Sequence, residues 1–248
     1  MAFAILFDST KCVGCRQCEG ACAEKWKNPY NDQIAAEEKI SSHKLTAVVT
    51  KGEKYVRRLC MHCIEPACVS ACPVGALQKT PQGPVVYDAD KCMGCRYCMT
   101  ACAFGAPAYE WNARLPKLAK CNMCLERQVQ GKPTACTEAC PAEATVSGDR
   151  DAMIALARKR MAESPGTYQP HIYGTEEVGG TSVLMISDVP FSQLGLPTNL
   201  PKENLPGLTW RALETIPSVV TVGSVLLSGI YWITHRRMEV AKAEGRKA

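Results

Sequence analysis

Sixteen cysteines fall into four runs of four along the 248-residue chain. The runs are Cys12, Cys15, Cys18, Cys22; Cys60, Cys63, Cys68, Cys72; Cys92, Cys95, Cys98, Cys102; and Cys121, Cys124, Cys136, Cys140. In the first and third the spacing is C-x-x-C-x-x-C-x-x-x-C. Three thiolates so spaced cap one face of a cubane iron–sulfur cluster, while the fourth reaches a partner cluster. Four runs imply two such pairs, hence four [4Fe-4S] clusters, and chemistry that consists of carrying electrons.

Other uses of cysteine fit worse. Disulfide frameworks belong to small secreted domains, and this chain is too long to need staples. A zinc-stabilised interaction scaffold would use two C-x-x-C pairs and leave the third thiols, Cys18 and Cys98, without a role. Aromatic residues are only 6% of the chain, so metal ligation rather than side-chain packing should hold the cysteine region together. The four histidines are scattered, and no nucleophile–base pair, paired carboxylates or phosphate loop is present; no catalytic residue is assigned. His62, inside "CMHC", is read as packing or hydrogen-bonding locally, because Cys60, Cys63 and Cys68 already complete a triplet.

The elements around the runs follow from local signals. Gly14 and Gly94 precede the second cysteine of their runs, where a missing side chain lets backbone N–H groups approach the sulfides. Pro73 and Pro141 close runs two and four; Ala23 and Ala103 stand in their place in runs one and three. Inserted loops, Ile64 to Ala67 and Leu125 to Ala135, mark surface open to partners. Met153, Ile154, Ala157 and Met161 recur at helical spacing after Asp149 or Asp151 as N-cap, with Pro165-Gly166 as the stop. Thr181 to Ser187 reads as a strand, and Pro190 to Pro206 as an extended arm laid on a partner.

Ile216 to Ile233 is uncharged for eighteen residues, enough at ~1.5 Å each to span roughly 27 Å of hydrocarbon. Pro217 suits a first helical turn, Tyr231 and Trp232 an interfacial belt, and Ser224 and Ser228 close packing against another membrane helix. The net charge is +5, of which the tail from residue 234 supplies +3: Arg236, Arg237, Lys242, Arg246 and Lys247 against Glu239 and Glu244. Nucleic-acid binding has no support in so modest a remainder. The basic tail predicts a cytoplasmic C-terminus and a cluster region on the periplasmic side of the inner membrane. Met1 to Thr10 carries no basic start and no apolar signal stretch, so export would use a partner's signal or a leader outside this sequence.

"LFDSTKCVGCRQC", "CMHCIEPACVSACPVGAL", "DKCMGCRYCMTAC" and "PHIYGTEEVGGTSVLMISDVPFSQLGLP", followed by one span, resemble the four-cluster subunits of bacterial respiratory complexes. The similarity is to the HybA-type subunit of membrane-bound [NiFe] hydrogenases and the beta subunit of formate dehydrogenase N. The absent leader pulls toward the second and "DVPFSQLGLP" toward the first. The resemblance implies an α+β fold of two interleaved ferredoxin-like modules, runs one and four forming one pair and runs two and three the other. It further implies four ligand sets: Cys12, Cys15, Cys18 and Cys140; Cys121, Cys124, Cys136 and Cys22; Cys60, Cys63, Cys68 and Cys102; Cys92, Cys95, Cys98 and Cys72. The expected organisation is an iron–sulfur region over 1–148, a helix and partner-binding arm over 149–208, and a transmembrane anchor with basic tail over 209–248. The implied partners are a [NiFe] or molybdopterin catalytic subunit and an integral membrane subunit that is quinone-reactive or carries haem b. A free-standing membrane-tethered polyferredoxin is the alternative, disfavoured by the arm and the small-residue span.

Overall fold

The computed structural model describes residues 2–111, 114 and 116–245. In chain order, β1 (Phe3–Asp8) leads to α1 (Gln17–Trp26), then to a hairpin of β2 (Thr46–Lys51) and β3 (Lys54–Leu59). Next come α2 (Ala67–Ser70), the ladder of β4 (Leu77–Lys79) and β5 (Val85–Tyr87), α3 (Tyr97–Thr100), and the ladder of β6 (Ala108–Tyr109) and β7 (Leu118–Ala119). The one-turn helices α4 (Leu125–Val129) and α5 (Ala135–Glu138) precede β8 (Thr145–Asp149), α6 (Arg150–Glu163) and β9 (Val183–Ile186). Two helices close the chain, α7 (Leu205–Leu213) and α8 (Ile216–Ala243). Met1–Pro206 forms one compact unit and Gly207–Ala248 another.

β1 is the middle strand of the first unit's sheet, antiparallel to β8 with Phe3 opposite Asp149 and parallel to β9 with Ile5 opposite Val183. Both faces are covered, which is why "AILF" and "VLMI" are unbroken apolar runs rather than alternating ones. Ile5, Phe7, Val183 and Met185 pack on one face with Leu59, Met61 and Met123, so the sheet rests against the cysteine region. Leu6, Leu184 and Ile186 meet Ala157, Met153 and Ile154 of α6 on the other. α6 starts where expected: the Asp149 carboxylate accepts from the backbone N–H groups of Asp151 at 3.1 Å and Ala152 at 3.5 Å. Asp8, at the end of β1, is fully buried and accepts from Arg160 at 3.2 Å and Tyr168 at 3.1 Å, tying α6 to the strand that enters the first cysteine run.

The stretch expected as an extended arm lacks regular secondary structure before α7, yet it is not spare chain. Phe191, Leu194 and Leu196 are buried in the same cluster as Ile5 and Tyr173, and the Tyr173 hydroxyl donates to the Pro197 carbonyl at 2.8 Å. These residues of the expected arm thus pack on this chain's own core. Irregular chain buries side chains through turns, here Gln193 N–H to Pro190 O and Gly195 at φ 68°, and turns leave no periodicity to read.

In the second unit α8 runs for 28 residues with Pro217 in its first turn. None of its side chains is buried, and Val219, Val220, Val225, Leu226, Leu227 and Ile230 are all exposed. With α7 before it, α8 is long and apolar enough to cross a membrane. Arg246 and Lys247 of the predicted basic tail lie outside the described residues.

Candidate iron–sulfur sites

All four cysteine runs share one backbone device. The residue before the second cysteine is left-handed in each: Gly14 (φ 70°), His62 (φ 48°), Gly94 (φ 75°) and Met123 (φ 54°). Such a turn gathers successive N–H groups around an anionic centre, and the Met123 N–H reaches Cys121 Sγ at 3.2 Å. Glycine is required outright at position 14, because a Cβ there would enter the Tyr55 ring. A short helix then carries or abuts the third and fourth cysteines, four residues apart and so on one side of a turn: Cys18 and Cys22 lie in α1, Cys136 in α5 with Cys140 just beyond. Ala23 lets α1 continue to Trp26, which a proline would prevent.

The sixteen thiols are free of disulfides, and the electrostatic fields they exert on one another sort them into candidate sites. At site I, Cys12 lies in the field of Cys15 and Cys140, and Cys18 in that of Cys12. At site II, Cys22 senses Cys136 and Cys124, and Cys121 senses Cys22 and Cys136. At site III, Cys63 senses Cys60, Cys102 and Cys68. At site IV, Cys98 senses Cys92, Cys95 and Cys72. Three links put the sites in a row: Cys18 packs with Cys136, Cys121 lies in the field of Cys60, and Cys68 packs with Cys98. The row reads I, II, III, IV.

The thiols surround space rather than a point. A hollow is lined by Cys12, Cys15, Cys18 and Cys140 among other residues, and another by Cys63, Cys68 and Cys102. Among the described residues no three His, Cys, Asp or Glu side chains close around a single ion.

Residues 52–150 match the 4Fe-4S dicluster domain. The chain is 38% identical over 261 residues to a protein of Nitratidesulfovibrio vulgaris strain Hildenborough, covering 100% of this chain and 70% of that protein. It is 35% identical over 275 residues to the hydrogenase-2 operon protein HybA of Escherichia coli O157:H7, covering 91% and 84% of the two chains. To the formate dehydrogenase-O iron–sulfur subunit of Escherichia coli K12 it is 33% identical over 216 residues, covering 79% and 71%. The chain belongs to the family of HybA and the formate dehydrogenase iron–sulfur subunits.

In this iron–sulfur subunit, burial pushes the thiols of Cys18, Cys22, Cys63 and Cys68 up to about 12. Left alone they would stay protonated at neutral pH. Gathering them as thiolates requires positive charge among them, which the iron of a bound cluster would supply. Cys72 differs: burial raises its pKa, but the N–H groups of Leu77, Ala76, Val74 and Gly75 outweigh it and lower the value, with Ala76 N–H at 3.2 Å from the sulfur.

Side chains beyond the cysteines complete the sites, and spacing gave no sign of them. The hydroxyl of buried Tyr109 stands 3.2 Å from Cys98 Sγ, and that of Thr134 3.2 Å from Cys136 Sγ. Arg57 is 1% exposed; burial opposes its charge, but Cys136 and Cys18 outweigh burial and raise its pKa. Lys120 donates to the carbonyls of Val85 at 2.5 Å and Cys121 at 2.7 Å, joining the ladder of site III's module to the fourth run. His62 takes a local role: its Nδ1 accepts the Val85 N–H at 2.9 Å, placing the proton on Nε2. Burial, then Lys120 and Lys79, hold it neutral.

Proposed function

We propose that the chain is the electron-transfer subunit of a membrane-bound respiratory oxidoreductase, holding four [4Fe-4S] clusters at sites I to IV. The observation that carries the reading is the row of four thiol groups, each taking three cysteines from one run and the fourth from its partner run. Bound clusters would each accept and release one electron without making or breaking bonds to substrate. The chain's own residues set spacing, exclude water and place hydrogen-bond donors on sulfur.

Cys15 is exposed, and Met93 and Tyr97 are exposed beside Cys92 and Cys95, so both ends of the row reach the surface of the Met1–Pro206 unit. A row open at both ends suits a donor at one end and an acceptor at the other. By the resemblance, these are a [NiFe] or molybdopterin catalytic subunit and a quinone-reactive or haem-bearing membrane subunit. Two interleaved ferredoxin-like modules within 1–148 would carry the row, and α8 would anchor the subunit in the inner membrane, the clusters on the periplasmic side.

Anaerobically purified protein should contain about sixteen iron and sixteen sulfide per chain, four of each per cubane. A colourless, zinc-loaded protein would overturn the proposal, and eight iron would remove two of the four sites.

A further inference from the structure

Arg57 is a buried charge beside sites I and II. It lies on β3 opposite Val48, and Val48 packs against Cys18 and Cys136, one thiol from each site. Its side chain also lines the hollow of site I beside Cys12, Cys15, Cys18 and Cys140. The guanidinium is fixed by two hydroxyls from different elements: Nε donates to Thr46 Oγ1 at 3.0 Å and one Nη to Thr145 Oγ1 at 2.7 Å. Of the nearby charges, Glu19 is paired with Lys44 at 2.8 Å and Lys25 with Glu126, while Arg16, which also lines the site I hollow, is only half-buried. Among the described ion pairs Arg57 has no carboxylate partner, and a buried, permanently charged guanidinium without one is expensive.

We propose that Arg57 is a tuning residue whose fixed positive charge, held between sites I and II, raises the reduction potentials of both clusters together. Each reduction adds one negative charge to a cluster, and a cation kept in a poorly screened interior favours the reduced form. Sharing one cation between neighbours moves both potentials in the same direction, so the step between them stays small. The two hydroxyls make the charge immobile; neither removes it. The inference rests on the proposed clusters at sites I and II.

The test is an EPR-monitored redox titration of the anaerobic full-length chain as wild type, Arg57→Gln and Arg57→Lys, with iron and sulfide counted on each sample. Signals are assigned from Cys140→Ser for site I and Cys22→Ser for site II. The expected result is full iron in Arg57→Gln, with the reduction equilibria of sites I and II at least tenfold less favourable, 59 mV each for one electron. Sites III and IV move less than threefold, and Arg57→Lys, which keeps the charge, moves all four less than threefold. Full iron in Arg57→Gln with unmoved potentials overturns the proposal. If Arg57→Gln loses iron from sites I and II, Arg57→Lys decides: full loading with potentials within threefold of wild type supports a role for charge. Full loading with a tenfold shift overturns it in favour of shape. A wild-type chain short of sixteen iron counts against the cluster assignment instead, so the two failures are distinguishable.

Discussion

Replacing Cys22 with Ser tests the crossing of ligands more severely than any other single change. Cys22 follows three cysteines of its own run on α1, but its thiol lies in the field of Cys124 and Cys136, whereas Cys12 lies in that of Cys140. The variant should therefore lose the site II signal, keep site I, and fall from about sixteen iron toward twelve, four per cubane. Stability gives a second, independent number. Sites I and II tie the same two segments, residues 12–22 and 121–140. With site I intact, losing site II reopens only a loop of about ten residues, worth about 2.7 kcal/mol by the chain-entropy relation. Cys140→Ser should cost about the same, for the same reason. Once both sites are gone a loop of about 120 residues opens as well, worth about 4.9 kcal/mol, so the double variant should lose roughly 2 kcal/mol more than the two single losses added. Anaerobic thermal unfolding reads this as a drop of about 5–11 °C for each single variant and a more than additive drop for the double. Loss of the Cys12–Cys15–Cys18 site in Cys22→Ser, with site II intact and additive destabilisation, would refute the crossing.

Tyr109→Phe keeps the buried ring packed against Leu77, Val85 and Leu118 but removes the hydroxyl 3.2 Å from Cys98, and should lower the site IV potential alone by about threefold in equilibrium, ~30 mV, in a redox titration. Ending the chain near Leu208 removes α8 and leaves every cysteine, so iron content should be unchanged while binding to the membrane subunit and quinone-linked activity fall and activity with a soluble acceptor persists. Unchanged quinone reduction after that truncation would make the span dispensable.

Local signals reached the elements that depend on local rules. The helix capped by Asp149, the strand within Thr181 to Ser187 and the uncharged helix from Ile216 are set by a cap, an apolar run and length, and each stands in the structure. Spacing divides the cysteines into four runs and sends a run's fourth thiol to a partner cluster, but does not say which run is the partner. The pairing of runs came only from the family resemblance: the proposed exchange reaches from Cys12 to Cys140 for runs one and four, but only from Cys72 to Cys92 for runs two and three. The left-handed residue before each second cysteine was legible at Gly14 and Gly94 and hidden at His62 and Met123, whose side chains disguise the same backbone. The buried arm residues and Arg57 were illegible for a different reason. "KYVRRL" places two arginines side by side, and only the packed hairpin decides that Arg57 turns inward while Arg58 reaches the carbonyl of Leu194.

The two hairpins that follow runs one and three explain how a repeated set of ligands acquires unlike electrostatics. β2 and β3 follow α1, and Val48 and Tyr55 pack with Cys18 and Cys136; β6 and β7 follow α3, and Tyr109 and Leu118 pack with Cys98. These positions are equivalent in the repeat, each after a run that ends in alanine rather than proline, Ala23 or Ala103. The first hairpin delivers a full charge, Arg57, shared by two sites. The second delivers a hydroxyl dipole, Tyr109, to one. A charge acts over several ångströms in a poorly screened interior, while a hydrogen bond acts on the atom it touches. Ligand spacing can thus stay constant between the modules while potentials diverge, because the residues that set them come from inserted chain that the metal does not constrain. This division predicts different reach for two small changes: Arg57→Gln should move two potentials at once, and Tyr109→Phe only one.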